Sequence, residues 1–310
     1  MANFTNQDVM KLREQTGVGM MDCKKALVET NGNFEEAIKY LREKGMASAA
    51  KKASRVAAEG LVKCVVSADK KTAVAVEVNC ETDFVARSDQ FVALVDKIGS
   101  LLLTSNATTV EQVLEQVSCP ECGKTVNVLI AEATAAIGEK ISLRRFTKFA
   151  LSDAGLISSY IHMGGKIGVL AEIKSKAKQD DLMELAFNIC MQIAASKPQV
   201  VGIADVDASQ LEAEKEILTV QARNEGKPEA IIGKMVEGRI HKYYKEVCLL
   251  EQEYVRDGAL SVKQVIADTA KSVGADITVT RFVRYEMGEG IEKRVDNFVD
   301  EIAEQLKSIK

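Results

Sequence analysis

Along the first 45 residues apolar positions recur at helical spacing between short polar breaks. Thr5, with Asp8 three residues on, is a pairing that can cap the free backbone donors of a helix start, and Val9 and Leu12 then share one helical face. Gly17 and Gly19 break that helix. The pattern resumes from Met20 to Thr30, turns at Asn31-Gly32-Asn33, and gives a third helix from Phe34 to Lys44 that ends at Gly45. A three-helix bundle over 1–45 is therefore expected. Residues 46–59 (MASAAKKASRVAAE) hold no large apolar residue after Met46 and read as a partly helical linker.

Beyond the linker the pattern changes from helical to alternating, and it does so twice. Leu61 to Asn79 (LVKCVVSADKKTAVAVEVN) and Leu156 to Lys174 (LISSYIHMGGKIGVLAEIK) have equal length and align without gaps. Each reads as two strands around a turn, Ala68-Asp69-Lys70-Lys71 in one and Met163-Gly164-Gly165-Lys166 in the other. Helical pattern follows each hairpin, and each unit closes on a further strand, Ile141 to Phe149 and Ile277 to Tyr285. The expected fold class is α+β, with two related halves at 60–150 and 151–288, each with an antiparallel sheet.

The hairpins start 95 residues apart but the closing strands 136 apart, so the second half carries 41 additional residues. They fit an insertion at 205–247, where Leu211, Leu218 and Ala222 face Ile232, Val236 and Ile240 across Gly226-Lys227-Pro228. That spacing suits an antiparallel helical hairpin, either a self-association device giving a homodimer or a pair of ordinary packing helices. A last helical module is expected over 289–310.

Composition narrows the function classes. At 28% charged and 46% hydrophobic residues the 310-residue chain is of ordinary globular make-up, long enough for two or three domains. It lacks a bilayer-length apolar run and the layout of a secretory signal. A cytoplasmic location is expected. A net charge of −4 argues against a protein whose main work is neutralising nucleic-acid phosphates. Seven cysteines, an odd number scattered through apolar pattern, suit reduced thiols better than a disulfide framework. With only His162 and His241 available, most general-base schemes lack their usual residue, and no enzyme active site, cofactor or metal site is expected.

Two stretches carry a family resemblance. Leu12 to Leu27 (LREQTGVGMMDCKKAL) and Glu77 to Arg87 (EVNCETDFVAR) are similar to the two signatures of the elongation factor Ts family. Shorter matches at Tyr160-Ile161-His162, Gly168-Val169-Leu170, Ala194 to Pro198 (AASKP), Lys234 to Arg239 (KMVEGR) and Gly288 to Lys293 (GEGIEK) spread the resemblance over nearly the whole chain. It implies a non-enzymatic guanine-nucleotide exchange factor whose partner is elongation factor Tu, bound to GDP or nucleotide-free, with no direct role for nucleic acid or membrane. It also implies that the N-terminal bundle is like a ubiquitin-associated domain.

What the resemblance implies residue by residue is a wedge at Thr82, Asp83, Phe84 and Val85, with Phe84 entering the partner's GTPase domain. Arg13, Met20, Met21 and Lys24 match positions that touch a helix of that domain, and Ile137, His162 and Val255 match further contacts. Arg256 stands where relatives often carry an apolar residue, and Ser88 where Asn is common. Read without the resemblance, Asp83 would be a helix N-cap and Phe84 a core aromatic, Met20 and Met21 would be bundle core, and His162 an ordinary strand histidine.

One segment points elsewhere. Cys119-Pro120-Glu121-Cys122-Gly123-Lys124-Thr125 contains a CxxC and the tail of a phosphate-binding loop. A structural zinc needs two more ligands, and Ser118 stands where a phosphate loop needs glycine, after a helical rather than a strand pattern. The rival readings are a thiol oxidoreductase using Cys119 and Cys122, and a plain scaffold that binds a partner without releasing anything.

Overall fold

Thr5 opens the chain's first helix as its sequence dictates. A computed structural model describes residues 4–292, and in it the Thr5 hydroxyl accepts the Asp8 N–H while the Asp8 carboxylate accepts the Thr5 N–H at 2.8 Å. Helix α1 (Asn6–Thr16) stops at Gly17, whose φ of +68° suits glycine. With α2 (Met20–Glu29) and α3 (Phe34–Lys52) it encloses Val9, Leu12, Cys23, Ala26, Leu27, Ala37 and Leu41. The third helix does not end at Gly45. It runs on to Lys52, so the first half of the expected linker is helix. Glycine costs an inner helical position only about 1 kcal/mol, and a Cβ at Gly45 would already sit 3.4 Å from the Ala135 side chain, so its bareness lets α3 lie close to the core.

The first half follows as β1 (Glu59–Val66), β2 (Thr72–Cys80), α4 (Asp83–Ala86), α5 (Asp89–Thr104), α6 (Val110–Gln116), α7 (Val126–Ile137) and β3 (Ser142–Ala150), with an antiparallel sheet in the order β1-β2-β3. The second half has β4 (Gly155–His162), β5 (Ile167–Ser175), α8 (Gln179–Ser196), α9 (Ala208–Asn224), α10 (Glu229–Val247), a small ladder of β6 (Glu253–Tyr254) and β7 (Asp257–Ser261), α11 (Val262–Val273) and β8 (Ile277–Glu286). Its main sheet has the order β4-β5-β8, also antiparallel. Helices α9 and α10 form the expected hairpin, closed on Ala222, Ile232, Val236 and Ile240 with Leu211 and Leu218 beside them. The expected C-terminal helix lies, past residue 292, outside the described residues.

Each sheet turns one face to its own helices and the other to its counterpart. Val74, Val76 and Val78 pack on Phe91, Ile98 and Leu102 of α5, and Val169, Ala171 and Ile173 pack on Leu182, Ile189 and Ile193 of α8. Between the sheets, Val62, Ala73, Ala75 and Phe149 meet Ile157, Leu170 and Tyr285. Central strands β2 and β5 are thus covered on both faces, which is why they read as near-continuous apolar runs.

The repeat holds down to single atoms. Gly60 and Gly155 begin equivalent strands at φ +142° and +135°, where a Cβ would strike the carbonyl oxygens of Val78 at 2.2 Å and Ile173 at 2.0 Å. Glu77 and Glu172 each precede a register shift in the central strand. Each carboxylate accepts an arginine Nε–H from the closing strand, Arg145 at 2.6 Å and Arg281 at 3.0 Å. Each guanidinium then lies over an aromatic ring of the opposite half, Arg145 over Tyr285 at 4.2 Å and Arg281 over Phe149 at 4.3 Å. This reciprocal pair of contacts joins the two halves.

Candidate functional site

Where β2 ends at Cys80 the chain turns a corner into the single-turn helix α4, and every neighbour of the exposed tip is tied down. Thr82 sits in extended backbone as the helix N-cap, its hydroxyl accepting the Val85 N–H. The same hydroxyl donates to Glu139 at 2.6 Å, and the second Glu139 oxygen accepts the N–H groups of Glu81 and Thr82 at 3.1 and 3.0 Å. In return the Glu81 carboxylate accepts the Lys140 N–H at 2.6 Å. Val85 packs against the first core, Ala86 is buried, and Ser88 donates to the Val85 carbonyl at 2.7 Å while capping α5.

Because Thr82 takes the cap, Asp83 becomes the first helical residue and Phe84 the second, which turns both away from the sheet. The reading of Asp83 as cap and Phe84 as core aromatic is therefore wrong. Phe84 is 84% exposed, more than any other large apolar side chain among the described residues, and forgoes about 2 kcal/mol of burial. Asp83 pairs with Arg87 at 3.2 Å in a partly exposed i,i+4 ion pair. Such a pair holds only about 0.5 kcal/mol. Of the four corner residues, then, Thr82 and Val85 are supports and Asp83 and Phe84 form the tip.

Glu139 was invisible to sequence reading, since it reaches the corner from a loop 57 residues on. No local motif marks it; only the Gly138 helix stop before a strand hints that the loop is tightly placed. Removing it by Glu139→Ala is expected to lower hydrogen-exchange protection of the Glu81 and Thr82 amides roughly tenfold, the equivalent of one charged hydrogen bond. Unchanged protection would mean the corner is held by other contacts.

The remaining candidates fall into two groups. On the bundle, Arg13, Met20, Met21 and Lys24 are all exposed, Met21 at 75%, so the two methionines are not bundle core. Gly17, between these helices, lies close enough to Gln90 of α5 that a Cβ there would be 3.8 Å from its side chain, which sets this group beside the corner. Ile137 ends α7 half-buried against the first core.

The second group lies on the other half. His162 is exposed at the end of β4, its Nδ1 3.0 Å from the Tyr160 hydroxyl. Val255 is 47% exposed and its N–H donates to Gln192 of α8, while Arg256 donates to Asn188 of the same helix at 2.9 Å. Between them α8 presents Met183 and Phe187, with Phe187 edge-on to Tyr160. Sequence reading missed both; the available signal was two large apolar residues out of phase with the buried face of α8.

Among the described residues no group of three or more His, Cys, Asp and Glu side chains is arranged to hold a metal, and no helix is long and apolar enough to cross a membrane. The tip stands open to solvent, with the Phe84 ring held out by a fastened backbone.

A sequence profile of the family described as elongation factor TS matches residues 81–289, which include the corner, β3 and the whole of the second sheet. The chain is 53% identical over 300 residues to elongation factor Ts of Clostridium perfringens (strain SM101 / Type A), covering 97% of this chain and 98% of that protein. It is 51% identical over 300 residues to elongation factor Ts of Clostridium botulinum (strain Eklund 17B / Type B), with the same coverage.

Proposed function

The chain belongs to the elongation factor Ts family, and from that membership we propose that it is a guanine-nucleotide exchange factor acting on elongation factor Tu in the cytoplasm. It docks on GDP-bound Tu through Arg13, Met20, Met21 and Lys24 and through Ile137, His162 and Val255, and it drives Asp83 and Phe84 toward the nucleotide's magnesium and phosphates. The observation that carries this reading is the exposed Phe84 on a corner whose backbone is fastened on every side.

The physical logic needs no covalent step by this chain. A magnesium ion neutralises phosphate charge and holds the loops around it, so displacing its supports by about an ångström costs much of the nucleotide's affinity. GDP leaves faster. Linkage is reciprocal, so a factor that weakens nucleotide binding is itself weakened by bound nucleotide, and incoming GTP expels it. A rigid corner suits this task, because a tip that yielded would spend its binding energy on itself rather than on the partner.

Mixing the chain with Tu carrying fluorescent GDP and excess unlabelled nucleotide tests this directly. The release rate should rise with the concentration of the chain and saturate. A scaffold would leave the GDP off-rate unchanged.

The α9–α10 hairpin is proposed as the surface of a homodimer. It leaves Ile217, Val220 and Ile231 about half exposed outside its own core, an apolar surface that suits a second hairpin. Sedimentation velocity is expected to give a concentration-dependent dimer that Ile217→Glu with Val220→Glu abolishes. A monomer at every concentration would exclude it.

A further inference from the structure

Cys119 and Cys122 stand apart from the other cysteines, and nothing in exchange uses them. Between α6 and α7 the chain makes a tight turn in which the Cys119 N–H donates to the Lys124 carbonyl at 2.9 Å and the Cys119 carbonyl accepts the Gly123 N–H at 2.8 Å. Ser118 and Thr125 pair as an antiparallel bridge at its base. Residues three apart in a hydrogen-bonded turn have Cα atoms within about 7 Å, which overlaps the roughly 4.4–6.8 Å that a disulfide spans. Cys119 is only 1% exposed, whereas Cys122 is open to solvent. Lys97 of α5 reaches the same place and pairs with Glu121 at 3.4 Å.

We infer that Cys119 and Cys122 form a reversible redox-modification site, in which a low-molecular-weight disulfide converts the two thiols into one intramolecular disulfide. The exposed Cys122 thiolate attacks one sulfur of the reagent, R–S–S–R, forming a mixed disulfide and releasing the first thiolate, which takes the proton Cys122 gave up. Cys119 then attacks the Cys122 sulfur, expelling the second thiolate, which takes the Cys119 proton. Two protein thiols are oxidised and one reagent disulfide is reduced to two thiols.

The surroundings favour the second step, in which Cys119 is the nucleophile. The Cys122 side chain, and after it Lys97 and the backbone N–H groups of Cys122 and Glu121, bring the Cys119 thiol down to about 7 against the cost of its burial. Burial has the opposite effect elsewhere. Cys64, Cys80 and Cys190 are pushed up to about 12 and Cys248 to about 11, and Cys23 is raised as well. Those five are poor nucleophiles, four of them buried.

Treating the full-length protein with glutathione disulfide, trapping with an alkylating agent and mapping peptides tests the inference. The wild-type peptide spanning 119–122 should lose two hydrogens without keeping glutathione and regain them with a thiol reductant, and the other five cysteines should stay free. Cys119→Ser should accumulate glutathione on Cys122. Cys122→Ser should react at least roughly tenfold more slowly than Cys119→Ser, since its remaining thiol needs local opening to meet the reagent. A stable glutathione adduct on wild-type Cys122 at the level seen in Cys119→Ser, or no reaction at all, would overturn the inference; neither outcome touches the exchange reading.

Discussion

Truncation by Phe84→Ala is expected to reduce the maximal acceleration of GDP release roughly ten- to a hundredfold, the range of a buried aromatic anchor, while leaving the fold and much of the affinity for Tu in place. The fold is safe because the ring touches little of its own chain: it is 84% exposed, whereas the core of this half is built on Phe91, Ile98 and Leu102. Affinity is largely kept because the proposed docking contacts, on the bundle, at Ile137 and on the second half, lie apart from the ring. An interaction made only as the nucleotide site opens lowers the maximal rate rather than the occupancy. Asp83→Ala should act in the same direction but less, since it removes one charge from the tip and frees Arg87 without removing the ring. Saturating release rates and separate binding measurements distinguish the two quantities. An unchanged maximal rate with weakened binding would make Phe84 a docking residue instead.

The largest loss of stability is expected from Glu77→Ala. Glu77 is fully buried, and its carboxylate accepts from Arg144 at 2.9 Å, Arg145 at 2.6 Å, the Asn79 side chain at 3.2 Å and the Gly288 N–H at 2.8 Å. Removing it takes the buried carboxylate from two guanidinium groups, leaving Arg144 the Glu289 carbonyl and Arg145 the Glu286 carbonyl and Glu289 carboxylate, and it unfastens the Gly288 N–H from the first sheet. Breaking a buried pair of this kind costs about 3–5 kcal/mol. Arg144 and Arg145 keep about a quarter to a third of their side chains exposed and can rehydrate, which places the loss at about 3 kcal/mol and lowers the melting temperature of a chain this long by roughly 5 °C.

The same carboxylate gives acid sensitivity a sign. Burial alone would push its pKa up, but the Gly288 N–H and the guanidinium groups of Arg144 and Arg145 more than offset this and hold it below the ordinary 4.5. A depressed folded pKa contributes stability that is fully present above about 4.5 and is lost as pH falls through the folded value. Glu77→Gln, which cannot titrate, should therefore show a shallower loss of stability below pH about 4.5 than the wild type. Parallel acid curves would deny Glu77 this role.

Much of the fold was legible because it is written twice. The equal spacing of Leu61 to Asn79 and Leu156 to Lys174 announced two halves, and the structure repeats the device at Gly60 and Gly155 and at Glu77 and Glu172. The inserted hairpin was legible from its facing apolar rows. Helix α3 was cut short because Gly45 reads locally as a stop, whereas packing against Ala135 decides the matter. The ladder of β6 and β7 left no distinct expectation because its strands are too short to show a period, and α11 was not singled out although it follows α7 at the same 136-residue spacing as the closing strands.

At the site, the residue types of the tip were legible through the family resemblance, but their division of labour was not. That Thr82 caps the helix and Asp83 does not depends on one backbone conformation, and this single step decides whether Phe84 faces the core or solvent. Glu139 and the α8 residues Met183 and Phe187 depend on tertiary placement, which periodicity along one segment does not encode.

The claim on which the account turns is that the tip of this corner enters the partner beside its nucleotide. Incorporating p-benzoylphenylalanine in place of Phe84, irradiating the complex with nucleotide-free Tu and sequencing the crosslinked peptides measures where that tip lies. The account predicts attachment within the GTPase domain, at the segments that hold the magnesium ion and phosphates. Efficient complex formation with no crosslink from position 84, or attachment only outside that domain, would contradict it.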